Sequence, residues 1–429
     1  MAFILWVVHI GVVFLLSWRL WRNQDQKLKP YFFPALLLKL TAGIGLGLLY
    51  KYHYSAGDTF GFFEDAKKLT SIFWSSSSSY FNFLWSGDGS DAISSSLINP
   101  QSRSLFLVKI ISCFNILTGN NYWITNLYFS FISFWSAFLF FKKIAFFFPG
   151  REFAAAIAFL FFPSIVFWSS GVIKESLAMA GLFMLSTVYI TLLNNSKPFW
   201  WEWVLAFLSL ILVWNLKYYW IAVFIPVTVT TCSVHLITMH LTWKMNMKLA
   251  LWIAFFLVFC LGVTLVHPNF YLENFLIVLV ENYDAFIRIS PAQSVVRYPL
   301  EPTWWSVVLN SPKALLTGFF RPFLWEATNF LQLIVAVENL FVFIFFITAL
   351  SGMRAAIQSP HRLLIFSTVV YILLLCLFLA LSTPNLGSLA RYKVGFQPFF
   401  VFLLLANNPR FDKLKLMFDR FFRLGQALK

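Results

Sequence analysis

Three acidic residues follow the second apolar run of the chain, within the sequence GDTFGFFEDAKKL (57–69). They are Asp58, Glu64 and Asp65. A carboxylate at a membrane–water boundary can take a proton from a hydroxyl group when its geometry and pKa suit the transfer. Carboxylate oxygens can also hold a divalent cation. The stretch therefore predicts either an acid–base centre or a cation site.

Asp58 is the strongest of these three candidates. Asp58, Phe62, Ala66 and Leu69 have helical spacing and share one face. Asp58 would stand at or before the helix start, where its carboxylate could instead cap free N–H groups. The other two acids precede a pair of lysines, and these four charges could equally form a solvated helix face.

Cationic residues lie near the ends of several later apolar runs. Arginine binds phosphate through a planar fork of donors, and a lysine at such a position can face an anionic lipid phosphate. The competing interpretations are a Lys–Glu pair in a tight hairpin and cations that extend to the membrane surface. We favour one site in which an acid meets several cations around a lipid-linked phosphate or diphosphate sugar. Its predicted phosphate-binding residues are Lys174, Arg321, Arg391 and Tyr392, with Glu175, Glu326 and Lys217 in support.

The composition indicates a membrane protein. Of 429 residues, 60% are hydrophobic and only 11% are charged, whereas soluble domains carry about 25% charged residues. Continuous apolar runs of about 20 residues favour helices over a β-barrel. The net charge of +15 is explained by basic residues at the cytoplasmic ends of spans, so we expect no nucleic-acid partner.

The sequence predicts an all-α polytopic protein with about 11 transmembrane helices in a single bundle (1–429). Two long outer loops, 51–120 and 267–327, are predicted to hold amphipathic helices on the membrane surface. A basic cytoplasmic tail covers 407–429. The predicted spans are 2–19, 31–50, 121–141, 152–168, 172–192, 200–216, 218–239, 249–266, 328–350, 363–381 and 393–406.

Charge counts favour an N-terminus outside and a C-terminus in the cytoplasm. With this orientation, the cytoplasmic segments and helix ends hold 18 of the 32 Lys and Arg residues but only 5 of the 17 acids. Cytoplasmic segments of membrane proteins carry such a basic excess. The acidic stretch at 57–69 would then face the periplasm or its equivalent.

Several other functions find little support in the sequence. The six histidines show no metal-binding spacing, and a glycine-rich phosphate loop is absent. A transporter built from inverted repeats needs matching interrupted helices in two halves, and the sequence reveals no such pair. A divalent cation held by the acids stays open, and the metal is unknown.

The order of these segments resembles the GT-C superfamily of membrane glycosyltransferases, which use polyprenyl-phosphate sugars. The resemblance covers residues 30–190 and, more loosely, the last 50. Its matching positions are Asp58, Phe62 and Ala66 in the first outer loop, Pro163 before a turn near Ser169–Gly171, and Arg391, Tyr392 and Pro398 in the last spans. The resemblance implies a GT-C-like fold, Asp58 as catalytic base, Glu64 or Asp65 as a second acid, and Arg391 as a donor-phosphate contact.

The resulting hypothesis is an inverting glycosyltransferase of the bacterial inner membrane, acting at the periplasmic face in surface polysaccharide or glycoconjugate assembly. Its partners would be a polyprenyl-linked sugar donor, a glycan, lipid or protein acceptor, and membrane lipids. One alternative is a lipid-linked oligosaccharide polymerase or ligase, which would depend on arginines more than on Asp58. Another is a non-catalytic scaffold or lipid-binding subunit, whose charges form structural pairs.

Overall fold

The structure is a computed structural model that describes residues 2–54, 58–87, 92–240, 243–265 and 271–413. Gly57, the first residues of the second predicted loop (267–270) and most of the predicted basic tail (414–429) lie outside these ranges. The chain divides into two compact units. The first comprises Met1–Glu152 and Phe159–Ile221, and the second comprises Phe153–Ala158 and Ala222–Lys429.

The first unit is built from helices around the central helix α7. Its buried face includes large aromatic side chains such as Phe134, Phe138 and Phe141. The helices in order are α1 (Ala2–Arg22), α2 (Lys29–Tyr52), α3 (Asp58–Ser75), α4 (Ser77–Ser86), α5 (Ala92–Ser95), α6 (Ser102–Thr118), α7 (Tyr122–Phe147), α8 (Glu152–Ala156), α9 (Pro163–Trp168), α10 (Lys174–Leu193) and α11 (Trp200–Thr238). Helix α8 and the last part of α11 extend into the residues of the second unit.

The second unit is also helical, with a single isolated β-bridge between Val295 and Asn385 among its described residues. In this unit, helix α17 packs against α13, α14 and α19. The remaining helices are α12 (Met245–Val263), α13 (Leu272–Ile289), α14 (Trp304–Phe320), α15 (Phe330–Ala349), α16 (Met353–Gln358), α17 (Arg362–Ser382), α18 (Leu386–Tyr392) and α19 (Gln397–Ala406).

The protein is a helical, multi-pass membrane protein. Within the described ranges, eight helices are long and apolar enough to cross a membrane, or nine if a bent pair at Leu386–Gly395 and Gln397–Ala406 is one span. The sequence predicted 11 spans. Three differences reduce the number from 11 to eight. The predicted span 152–168 is interrupted, the predicted spans 200–216 and 218–239 join in α11, and the predicted span 393–406 is half of the bent pair.

Helix α11 changes direction at Lys217, where the backbone leaves helical geometry (φ −146°, ψ 59°). Its 39 residues would extend about 58 Å as one straight helix, whereas a bilayer core is about 30 Å thick. The kink coincides with the boundary that the sequence predicted between two spans.

The interruption of span 152–168 has a local cause. Pro163 disfavours helical geometry in the residue before it, and Phe162 is extended (φ −68°, ψ 121°). A π-helical turn, Ile157–Phe161, precedes this break. After α9 the chain is again non-helical until α10 begins at Lys174.

The non-helical stretch 169–173 lies against the middle of α2. The buried Lys39 amine donates a hydrogen bond to Ser169 Oγ. Gly171 has φ +73°, and a Cβ added there would lie 2.5 Å from Asn126 Oδ1, so both the backbone geometry and the contact require glycine. Hydroxyl groups of α7 bind peptide groups of this non-helical stretch. Ser133 donates to the Ser169 carbonyl, and Ser130 accepts from the Gly171 N–H. Non-helical backbone at membrane depth needs such partners.

Candidate functional site

Helix α3 begins at Asp58, whose side chain is exposed. The opposite face of the same turn is buried, because Thr59 hydrogen-bonds Tyr122 at 2.9 Å and the Phe60 ring stacks on the Tyr122 ring. Phe62, one turn beyond Asp58 on its face of the helix, is buried. These contacts fix the start of α3 against α7.

Phe62 contacts the first predicted cation, Lys174. The Lys174 amine lies 5.1 Å from the centre of the Phe62 ring, within range of a cation–π interaction. The same amine donates a hydrogen bond to Ser104 Oγ at 2.9 Å. Lys174 is the first residue of α10 and Ser104 stands in the first turn of α6. The starts of α3, α6 and α10 therefore meet at one end of the first unit.

Three consecutive residue pairs form a closed circuit of contacts at this end. Ser104 accepts from Lys174, Glu175 Oε1 lies 2.7 Å from Lys217 Nζ, and the Arg103 guanidinium carbon lies 4.6 Å from the centre of the Tyr218 ring. We call these six residues the three-pair ring: Arg103–Ser104 on α6, Lys174–Glu175 on α10 and Lys217–Tyr218 at the kink of α11. It holds three cations and one acid, a net charge of +2.

Burial differs among the charged residues of the ring. Glu175 is fully buried and Lys217 is 4% exposed, so their ion pair is shielded from water. Arg103 is exposed, and Lys174 is intermediate. The ring therefore has an inner ion pair and an outer cationic side.

Asp65 holds the segment that leads into Arg103. Its carboxylate is fully buried and accepts hydrogen bonds from the backbone N–H groups of Ile98 and Asn99, both at 2.8 Å, and from the Asn99 side chain at 3.1 Å. Helix α6 begins three residues later. Glu64, in contrast, is exposed and pairs with Lys67 at 2.7 Å. Of the two predicted second acids, Asp65 anchors a loop and Glu64 lies on the surface.

A second ion pair marks the opposite end of the unit. Lys143, near the end of α7, lies 2.9 Å from Glu202 near the start of α11. Fifteen residues of helix separate Glu202 from Lys217, which is about 22 Å along the axis. The Lys143–Glu202 pair and the three-pair ring therefore lie at different depths of the unit, separated by about three quarters of the roughly 30 Å of a bilayer core.

The predicted site residues of the second unit form separate local contacts. Arg321 binds Glu326 through two guanidinium nitrogens, with Nε at 3.0 Å from Oε2. Glu326 also accepts the Phe323 N–H at 2.8 Å. Arg391 ends α18, and its guanidinium carbon lies 5.5 Å from the centre of the neighbouring Tyr392 ring.

A buried polar cluster lies next to Arg391 in the sequence. Lys393 donates to Asn339 Oδ1 at 2.7 Å, and Asn339 donates through Nδ2 to the Pro322 carbonyl at 3.1 Å. Glu338, the residue before Asn339, accepts a hydrogen bond from the Gln397 side chain at 3.3 Å. Lys393, Asn339, Glu338 and Gln397 are all buried, and we call them the Lys393 cluster.

Site prediction from the sequence missed several of these residues. Lys174, Glu175 and Lys217 were predicted and do meet, but Arg103 and Ser104 were passed over. Their signal was a basic residue just before an apolar helix, in NPQSRSLF (99–106). Lys393 stood beside Arg391, and only its burial sets it apart.

The described part of the chain contains no group of three or more His, Cys, Asp or Glu residues placed to hold a metal ion. In the three-pair ring, the one carboxylate, Glu175, already binds Lys217. The ring is therefore suited to an anion rather than to a cation.

Comparisons with protein-family models, with curated protein sequences and with solved structures give no match for the chain.

Proposed function

We propose that the chain is a membrane glycosyltransferase, which moves a sugar from a polyprenyl-phosphate donor to an acceptor hydroxyl in cell-surface glycan assembly. The observation that carries the proposal is that Lys174 contacts Ser104 and the ring of Phe62, the residue one helical turn beyond Asp58. An exposed carboxylate and a cation at the same helix ends supply the two groups that such a transfer requires. The reaction would take place at the outer face of the bacterial inner membrane.

The proposed reaction uses Asp58 as the general base. A carboxylate oxygen of Asp58 takes the proton of the acceptor hydroxyl as its oxygen bonds to the anomeric carbon of the sugar. The bond from that carbon to the phosphate oxygen breaks, and the electron pair leaves with the phosphate. Lys174 stabilises the negative charge that develops on the leaving phosphate. Attack opposite the leaving group inverts the anomeric centre.

The test is release of isoprenyl phosphate by the purified full chain in lipid nanodiscs. The donors are a panel of farnesyl-phosphate sugars, offered with a mixture of glycan acceptors, so that the common product reports turnover with any sugar. Asp58→Asn keeps the shape of the side chain but removes its basicity. Loss of a general base lowers rates by about 10²- to 10⁴-fold, and we expect at least a hundredfold loss.

Glu64→Gln is the matched control, because this acid lies on the same helix, is exposed and pairs with an exposed lysine. It should turn over at the wild-type rate. Equal turnover by wild type and Asp58→Asn would show that Asp58 is not the base. Arg391→Gln tests the oligosaccharide ligase alternative, which expects loss in this variant and retention in Asp58→Asn.

One observation favours a second function, a lipid-binding subunit without catalytic activity. Glu175 and Lys217, like Arg321 and Glu326, neutralise each other within the structure, as structural pairs do. If the chain has this function, we expect isoprenyl phosphates to copurify with the protein and no donor in the panel to be turned over. Turnover that depends on Asp58 excludes it.

A further inference from the structure

We infer that Arg321, Glu326 and Trp325 form a binding site for a neutral saccharide in the second unit. The inference rests on the proposed function for the choice of a saccharide among uncharged polyhydroxy compounds. It assigns a ligand to residues that the proposed reaction does not use, and it puts an uncharged ligand in place of the phosphate that the sequence predicted at Arg321.

The Arg321–Glu326 pair is the first observation. Glu326 accepts hydrogen bonds from Nε and Nη2 of Arg321, so the two charges cancel. The side chains are 20% and 19% exposed, and within the described ranges Arg321 Nη1 makes no hydrogen bond. A hydroxyl group both donates and accepts, so two neighbouring sugar hydroxyls can bind the arginine and the carboxylate together. A phosphate would be repelled by Glu326.

An exposed aromatic ring next to this pair is the second observation. Trp325 is 80% exposed, and its ring stacks on that of Phe323, with ring centres 4.8 Å apart and planes at 18°. The Phe323 N–H also donates to Glu326 at 2.8 Å, so one residue contacts both the aromatic ring and the ion pair. The face of an indole attracts the C–H groups of a sugar ring through dispersion and its negative π surface. Trp325 therefore supplies a stacking face beside the partners of the hydroxyls.

A buried hydroxyl near Arg321 is the third observation. Tyr298 is 5% exposed, and its Oη makes no hydrogen bond in the part of the chain that the structure describes. Burial raises the pKa of Tyr298 to about 12, although the nearby Thr317 and Arg321 lower it, so the phenol keeps its proton at neutral pH. Thr317 is one turn before Arg321, whose N–H donates to the Thr317 carbonyl at 3.2 Å. A buried donor without a partner is costly, and a sugar oxygen, directly or through one water molecule, supplies the missing acceptor.

Tyr298 is fixed in place by Tyr283 of α13. The Tyr283 hydroxyl donates to the Tyr298 carbonyl at 3.0 Å and accepts the Tyr298 N–H at 2.9 Å. The Lys313 amine of α14 also lies 5.4 Å from the centre of the Tyr298 ring. A donor held in this way is not reoriented when a ligand binds, which lowers the entropic cost of binding.

Binding is tested on the full chain in phosphatidylcholine nanodiscs by saturation-transfer difference NMR, with empty nanodiscs as the blank. The probes are methyl glycosides of the common hexoses, N-acetylhexosamines, deoxyhexoses and pentoses. We expect saturation transfer to the C–H protons of at least one glycoside, and about tenfold weaker binding in Trp325→Ala, which removes the stacking face. Trp325→Phe should recover part of the loss. Arg321→Lys keeps a charge beside Glu326 but removes the fork, and it should also weaken binding.

Trp305→Ala is the matched control, because Trp305 is 70% exposed in the first turn of α14, in the same unit. It should bind the glycosides as wild type does. Inorganic phosphate is added as a competitor and should leave the signal unchanged. Displacement of the glycoside by phosphate, wild-type binding by Trp325→Ala, or no saturation transfer to any glycoside overturns the inference.

A tryptophan of a membrane protein can instead lie among lipid headgroups, and a second measurement tests this. Brominated phosphatidylcholine quenches tryptophans that contact lipid. The contribution of Trp325 is the difference in emission between wild type and Trp325→Phe. We expect that contribution to resist quenching, whereas strong quenching would place the ring in lipid and overturn the inference.

The two proposals can fail independently. If Trp325→Ala loses glycoside binding while Asp58→Asn keeps full turnover, the saccharide site stands and the assigned base is wrong. If Asp58→Asn abolishes turnover while Trp325→Ala binds glycosides as wild type does, the transferase stands and this saccharide site is wrong.

Discussion

The three-pair ring of the first unit and the Lys393 cluster of the second unit use buried charge differently. In the Lys393 cluster, each member is buried and bonded to a neighbour: Lys393 to Asn339, and Gln397 to Glu338. In the ring, only Glu175 and Lys217 are buried as a pair, and Arg103 remains exposed on the Tyr218 ring.

This difference separates cations that are bonded inside the fold from an arginine that is exposed on an aromatic ring. A buried polar network must be satisfied internally, because an unpaired polar group in the interior is costly. Lys393 meets that requirement and contributes to packing. Arg103 is oriented by an aromatic face rather than by an acid, so its hydrogen-bonding capacity stays directed outward. Burial and bonding partners, more than the presence of charge, distinguish the two groups of residues.

The largest expected effect concerns the inner ion pair of the ring. Glu175→Ala removes the partner of Lys217 and leaves a buried, uncompensated charge. Loss of one member of a buried pair costs about 3–5 kcal/mol, and we expect the free energy of unfolding to fall by this amount. Guanidinium unfolding in mixed micelles, followed by tryptophan fluorescence, measures it.

The double variant Glu175→Leu/Lys217→Leu is the control for this effect. Replacing both members of a buried pair by apolar residues is often neutral, so the double variant should regain most of the lost stability. An Ala variant that loses less than about 1 kcal/mol would mean that water screens the pair, and the contrast between inner and outer ring residues would disappear.

The sequence predicted much of the helical framework because long apolar runs carry a strong signal. The boundary near residue 217 was predicted, since a lysine between two apolar runs opposes burial in lipid. The break at Phe162 was not, although Pro163 was visible. A proline within an apolar run is compatible with either a kink or an interruption, and the extended backbone of Phe162 in the structure distinguishes them.

The sequence named candidate site residues one by one, and their grouping came only from the structure. Lys174, Glu175 and Lys217 were named one by one, but no local pattern shows that Glu175 faces Lys217 across 42 residues. Arg103 was missed because its role depends on Tyr218, a residue more than one hundred positions away. Asp65 and Glu64 look alike in the sequence, and burial alone separates the loop anchor from the surface acid.

An intermediate effect is expected in the Lys393 cluster. Lys393→Met preserves the approximate length of the side chain but removes the donor to Asn339 Oδ1. A buried acceptor that loses its partner costs about 1–3 kcal/mol, so unfolding of this variant should require less denaturant than wild type. Turnover of the farnesyl-phosphate sugars should not change.

A double-mutant cycle sharpens this prediction. Lys393→Met and Asn339→Ala both remove the hydrogen bond between Lys393 and Asn339. Asn339→Ala also removes the hydrogen bond to the Pro322 carbonyl. Their combined effect should be smaller than the sum of the single effects, by about 0.5 kcal/mol or more. Strict additivity, or a loss of turnover in Lys393→Met, would contradict a purely structural role for the cluster.

The smallest effect is expected at the exposed acid next to Asp65. Glu64→Gln breaks an ion pair whose two side chains are 52% and 39% exposed, and such pairs contribute at most about 0.5 kcal/mol. Asp65→Asn, its buried neighbour, should cost several times more, because hydrogen bonds to a buried charge contribute about 1.5–3 kcal/mol. Both variants are compared with wild type by denaturant unfolding. Equal effects of the two substitutions would remove the distinction between a buried anchor and an available surface charge, on which the comparison of the ring with the Lys393 cluster depends.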